Sequence, residues 1–266
     1  MRLLMIGDIV GRSGRRAIKV NISDLKREFE LDLVIANGEN AAGGKGITRE
    51  VAQELFSTGV DVLTMGNHVW NIKEAHEYIN RETRIIRPAN YPPGTSGFGS
   101  NVFETRRKVK IAVINLAGRV FLDALDCPFR KADEILARTK EIAQVVVVDF
   151  HAEATSEKVA MGWYLAGRVS AVVGTHTNHG IQRASQTADE RILPGGTAYI
   201  TDLGMTGPLN SVIGVKKEII IEKFRSQLPQ RFEVASGPFQ FNGVIIDIDE
   251  YTGEANSIQR VQNYEE

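Results

Sequence analysis

Residues 144–151 read QVVVVDFH, an apolar run of strand-forming residues that ends on a histidine. Outward from it the same arrangement recurs. Short apolar runs bounded by Gly, Asn or Asp alternate with helical patterns, which is how α/β layering reads in a sequence. The runs fall at 2–6, 31–36, 60–65, 109–115, 144–150, 169–173 and 198–201, with a later pair at 230–235 and 239–249. Helices are expected over 15–29, 48–57, 71–80, 132–142, 156–165 and 215–224. Thr48 stands where an N-cap would precede an apolar stripe, and Gly59 where a glycine would stop that helix. Residues 239–249 alternate apolar and polar, 250–253 turn at a glycine, and 254–261 can return as a hairpin partner, so antiparallel strands are expected late in the fold.

Composition narrows the function classes. The 266 residues are 42% hydrophobic, enough for one α/β domain spanning 1–266. The 32 Lys plus Arg nearly cancel the 33 Asp plus Glu, and a net charge of −1 gives no global field to attract duplex nucleic acid or an anionic membrane. A single cysteine, Cys127, forms no internal disulfide, no apolar run reaches membrane-spanning length, and the N-terminal charge order is wrong for a secretory signal. A cytoplasmic setting is expected. Arg106, Arg107, Lys108 and Lys110 read as a solvated hairpin, and His76 as a surface or packing residue. The Pro- and Gly-rich segment 88–100 (PANYPPGTSGFGS) is expected to be a functional loop over the active site.

Side chains of metal-ligand type follow the strand-like runs. Asp8 comes after MRLLMIG, Glu39 and Asn40 after LVIANG, Asn67 and His68 after VLTMG, His151 after VVVVDF, and His176 and His179 after AVVGT. In open α/β sheets ligands bind at the carboxyl ends of strands, so five distant segments are expected to meet at one edge. Singly, each has an ordinary reading: Asp8 as a helix cap, Asn67 as a turn former, His151 as a core histidine. Four of the five histidines directly after strand runs weigh against those readings jointly. Carboxylate, amide and imidazole together suit Mn, Fe or Zn. Seven or eight ligands exceed one ion, and two ions about 3.5–4 Å apart would clamp the attacking and leaving oxygens of a phosphoester.

The motifs GDIVG, NGENAAGGKGIT, TMGNHVW, RPANYPPGT, DFHAEATSEK, VVGTHT and TADERILPGGTAYITDLGMTGP resemble the YmdB-like branch of the calcineurin-like metallophosphoesterases, from Met1 to about residue 250. The resemblance implies an α-β-β-α sandwich of two mixed β-sheets flanked by helices, with the metal site at strand C-terminal ends. It also implies a binuclear centre of Fe or Mn (with Zn or Mg as options), a homo-oligomer such as a dimer or tetramer, and hydrolysis of cyclic nucleotides, 2′,3′-cyclic forms especially, by a metal-bridging hydroxide. By position, Asp8 and Asn40 would bind the first metal, Glu39 would bridge, and Asn67, His151 and His176 would bind the second. His68 would be the catalytic residue at the leaving group. The superfamily's opening Asp-x-His has Val10 here, with Asn40 in the missing histidine's role. The segment GTHTNHGIQRASQTAD departs from the branch pattern, so the last ligand of the first metal is His179 or Asn178, with Arg183 near the substrate mouth. That departure gives weight to a rival reading, a metal-binding regulatory or scaffold protein with little catalysis.

Overall fold

Period-two alternation in the strands sorts side chains into layers. On β1 (Arg2–Ile6), Leu3 and Met5 face one way and Leu4 and Ile6 the other, and all four are buried. The computed structural model describes residues 1–177 and 189–265. The first half continues with β2 (Asp8–Ile9), α1 (Gly11–Glu28), β3 (Leu33–Asn37), α2 (Arg49–Thr58), β4 (Val62–Thr64), α3 (Ala75–Tyr78) and β5 (Ile85–Ile86). It is followed by β6 (Ser100–Glu104), β7 (Lys110–Ala117), α4 (Pro128–Thr139), β8 (Val145–Ala152), α5 (Thr155–Leu165) and β9 (Ala171–His176). The remainder holds β10 (Arg191–Leu193), β11 (Thr197–Ile200), β12 (Met205–Pro208), α6 (Lys217–Ser226), β13 (Phe239–Ile248) and β14 (Ala255–Tyr264).

Two mixed sheets result. One runs β2-β12-β13-β1-β3-β4-β5 with β14 beside β13, and the other runs β10-β11-β9-β8-β7-β6. Leu3, Met5 and Ile35 of the first sheet pack against Val113, Val147 and Val173 of the second, forming the central core. Leu4 and Ile6 turn outward onto Ile18 and Ile22 of α1, while Val146 and Val148 turn outward onto Leu136 of α4 and Met161 of α5. The molecule is therefore the expected α-β-β-α sandwich. The β13–β14 hairpin and the solvated turn between β6 and β7 are as expected, as is the Thr48 cap, whose hydroxyl accepts from Val51 N at 3.2 Å. Gly59 ends α2 in the left-handed region, where a side chain would be strained.

Three expectations need correction. Residues 230–235 form no strand; only Val234 bridges Val215 and Phe232 stays exposed, so the run joins no sheet. The helix expected over 71–80 shrinks to Ala75–Tyr78, because turns closed by Ala75 N to Ile72 O and His76 N to Lys73 O occupy its first part. The 88–100 loop lines no part of the cavity at the strand ends. It is organised instead by Arg87, whose guanidinium donates to the carbonyls of Pro88, Thr95 and Ser96.

Parallel pairing brings the strand ends level. β1, β3 and β4 are parallel neighbours, as are β7, β8 and β9, and Ala152 on β8 pairs with His176 on β9. Just below that edge the backbones approach too closely for any side chain at Gly174, where a Cβ would collide with Thr201 O. Gly174→Ala is expected to cost about 3 kcal/mol through overpacking, read as a lower midpoint in chemical denaturation; an unchanged midpoint would refute this packing.

Candidate metal centre

The centre is assembled where the two sheets' carboxyl edges face each other. Glu39, His151 and His176 each offer a ligand atom within 4.8 Å of the others. Glu39 Oε2 lies 3.3 Å from His151 Nε2 and accepts the His68 backbone N–H at 3.1 Å. Asn67 Oδ1 lies 3.1 Å from His151 Nε2. The Asn40 amide is spanned between neighbours, its Nδ2 donating to Glu39 Oε1 at 2.9 Å and its Oδ1 lying 2.7 Å from His68 Nδ1. Turning that amide over would set oxygen against the Glu39 carboxylate, so Asn40 accepts and His68 Nδ1 donates. His176 ends β9 with φ at 94°, a conformation rare for a residue with a side chain, and its Nε2 meets Glu153 Oε2 at 3.0 Å.

Asp8 completes the group in a different manner. It is fully buried, and neither carboxylate oxygen has a hydrogen-bond partner among the described residues. Buried carboxylates are otherwise paired or bonded to a cation, because desolvation without compensation costs several kcal/mol. Burial, reinforced by Glu39, Asp202 and Asp149 against the opposing His151, pushes the Asp8 carboxyl well above the usual range. Burial also pushes Glu39 up, but the charge and hydrogen bond of His151, with His68, outweigh it and hold that carboxyl at about 2. Burial disfavours charge on His151 too, yet Glu39, Asp8 and Asp149 bring it to about 9. Burial and the neighbouring His151 charge lower His176 to about 4, so it is neutral and available as a ligand near neutrality.

A supporting layer holds these groups. His151 Nδ1 lies 2.9 Å from Thr175 Oγ1, which itself donates to Asp149 Oδ1 at 2.7 Å. The Thr175 oxygen therefore accepts from His151, fixing the tautomer that leaves Nε2 as the lone-pair nitrogen once its proton is lost. Asp149 also accepts from the Thr64 hydroxyl and from Asn37 Nδ2 at 3.3 Å, tying the second sheet to the first. Asn115 on β7 does the same from the other side, donating to Met65 O and Ile86 O. Gly66 packs against the cluster, and a methyl there would overlap both Glu39 Oε2 and His151 Nε2. Orphaned Asp8 oxygens, mixed carboxylate and imidazole donors, and a glycine that keeps space open all fit a cation.

Comparison with known proteins decides the family. The YmdB-like protein family matches residues 4–261. The chain belongs to the YmdB-like family. A relative from Bacillus subtilis (strain 168), named 2′,3′-cyclic-nucleotide 2′-phosphodiesterase, is 50% identical over 261 residues, covering 98% of this chain and 96% of that protein. The crystal structure of a hypothetical protein from Thermus thermophilus matches with a TM-score of 0.91 at 41% identity, covering 100% of both chains. A Mycoplasma pneumoniae protein described as a novel phosphatase matches with a TM-score of 0.91 at 36% identity over 99% of this chain and 93% of that one. The phosphatase and phosphodiesterase names of these relatives agree with the hydrolase expected from the motifs.

Of the residues marked in the sequence, Glu39, Asn40, Asn67, His68, His151 and His176 are linked by direct contacts, and Asp8 is coupled to them electrostatically. His179, its alternative Asn178, and Arg183 lie outside the described residues. His76 packs on the Trp70 ring at 5.1 Å, away from the cluster, as expected. Sequence alone does not mark the relay through Thr175, the role of Gly66, or Lys158. Lys158 is fully buried and donates to Asp202 at 2.7 Å and to Thr177 Oγ1 at 2.9 Å, beside His176. The DFHAEATSEK and TDLGMTGP motifs hold Lys158 and Asp202, so an ion pair between motifs was the available signal.

Two outcomes test this centre. Gly66→Ala is expected to lose bound transition metal, read by elemental analysis, while the far-ultraviolet circular dichroism stays that of the parent; full metal content would contradict the assignment. In metal-free protein His151 holds a proton below about 9, which must leave before its Nε2 ligates. Apparent affinity for Mn is thus expected to rise about tenfold per pH unit between about pH 6.5 and about pH 8.5 in competition titrations. A flat dependence would contradict it.

Proposed function

We propose that this protein is a metal-dependent phosphodiesterase that hydrolyses cyclic nucleotides, 2′,3′-cyclic nucleotide monophosphates in particular. The observation that carries the reading is the buried Asp8 carboxylate, without a hydrogen-bond donor among the described residues, beside the Glu39, His151 and His176 cluster. The Bacillus subtilis relative's named activity supports the substrate class. Asp8, Glu39 and Asn40 on one side, and Asn67, His151 and His176 on the other with Glu39 shared, would hold two ions, Fe or Mn by ligand type. When bound, such ions supply Lewis acidity and a water acidic enough to ionise near neutral pH.

The chain's own groups do the rest. His151 is oriented through Thr175 and Asp149, and His176 is steadied by Glu153. His68 donates from Nδ1 to Asn40, so Nε2 is its free ring atom and can hold a proton for the departing ribose oxygen. It lines a cavity of about 510 Å³ together with Glu39, Asn40 and His176. That volume suits a small diester rather than a duplex. The same reading has one domain, 1–266, working as a cytoplasmic homo-oligomer.

Turnover of 2′,3′-cyclic AMP and of bis-p-nitrophenyl phosphate is expected to stop on chelation and return with Mn or Fe. His68→Ala is expected to lower kcat about 100-fold or more with metal content retained. Activity indifferent to chelator, or Asn67→Ala turning over like the parent, would remove the reading.

A further inference from the structure

The cavity that holds the metal cluster has a second wall of opposite character. Besides Glu39, His68 and His176 it is lined by Ile213, Val215, Phe232 and Val234. Two of them are more exposed than large apolar groups usually are beside a polar site: Ile213 is 55% and Phe232 48% accessible. Ile213 is also β-branched with φ at 49°, the left-handed region such residues avoid. The turn that carries it is fastened by Gly214 N to Ser211 Oγ at 3.0 Å, by Ala235 N to Gly214 O at 2.8 Å, and by the Val212–Val215 bridge. A strained, fastened turn that presents an apolar side chain to a hydrolytic cavity points to ligand contact.

The wall is also tied to the metal side. Val234 lies so close to the backbone of Gly11 and Gly44 that a Cβ at either would strike its methyl groups. Gly44 precedes Lys45, which lines the same cavity and forms no ion pair among the described residues. Glu153 and Glu233 also line it; Glu233 is ion-paired with Lys216, whereas Glu153 contacts the neutral His176 ring. The lining thus combines metal-ligand groups, an exposed lysine, and an aromatic and aliphatic set of side chains. A nucleotide combines the matching characters in its phosphate and base.

We propose that Phe232 and Ile213 form the nucleobase-binding surface of this enzyme, with Lys45 meeting the anionic part of the substrate. This rests on the phosphodiesterase reading. Stacking on an aromatic ring tolerates any base, because every base offers a π-face, so the surface selects nucleotides over base-free diesters without selecting among bases.

The test compares the metal-loaded enzyme on 2′,3′-cyclic AMP and on glycerol 1,2-cyclic phosphate, which has the five-membered cyclic diester and no base. The parent is expected to prefer the nucleotide in kcat/KM. Phe232→Ala is expected to reduce that preference about tenfold, mainly through KM, with Ile213→Ala acting in the same direction and Phe232→Trp restoring it. An equal fall on both substrates, no change in the preference, or a change of molecular mass in light scattering with Phe232→Ala would overturn the assignment and make the wall structural or a subunit contact. A parent with no preference would sink the base surface alone and leave the phosphodiesterase reading intact. A parent that turns over neither diester would overturn both.

Discussion

Four carboxylates are buried among the described residues, and besides Asp202, which Lys158 neutralises, three of them set the terms for everything above them: Asp8, Glu39 and Asp149. Desolvation makes each costly, and each is dealt with differently. Asp149 is satisfied by three donors from two sheets, Glu39 by imidazole, amide and backbone groups, and Asp8 by nothing among the described residues. A fold that neutralised all three would simply have a polar plug in its core. The one left over is a buried carboxylate without compensation, the kind of group a cation would satisfy.

The apolar layers make that arrangement affordable. Central and outer cores hold the two sheets from both faces, so strand ends are fixed before any polar side chain is considered. Asp149 and Asn115 then cross the gap and set one edge against the other. Ligand positions inherit the rigidity of the strands they terminate, which is the condition for a centre whose geometry tolerates little slack. Among the described residues of the cluster, only His176 shows backbone strain, at the place where β9 must turn its ring inward.

Much of this was legible before any coordinates. Period and composition marked most of the long strands and the late hairpin, because each buries a face and must show it in its side chains. The residues after the runs marked the cluster, since an imidazole or carboxylate at a strand end has few structural uses in such number. Less visible was whatever depends on partners far apart in sequence. Asp149 and Glu153 beside His151 are legible as groups that could orient the ligands, but their direction is not, and the link of Asp149 through Thr175 becomes evident only when β8 and β9 lie in register. Two-residue strands such as Asp8–Ile9 are too short to have a period at all. The 230–235 run had the composition of a strand but no sheet to join, and segment 88–100 had the composition of a lid but serves the loop around Arg87.

β1, which leads into Asp8, lies in its sheet between β3 and β13, and Gly7 N donates to Asn242 O on β13. The carboxylate nearest the beginning of the chain is therefore set by a strand made close to its end. On the ribosome the helices and the second sheet can form while this seat is still missing a neighbour, and a nascent chain should have no finished centre until the last hairpin has emerged.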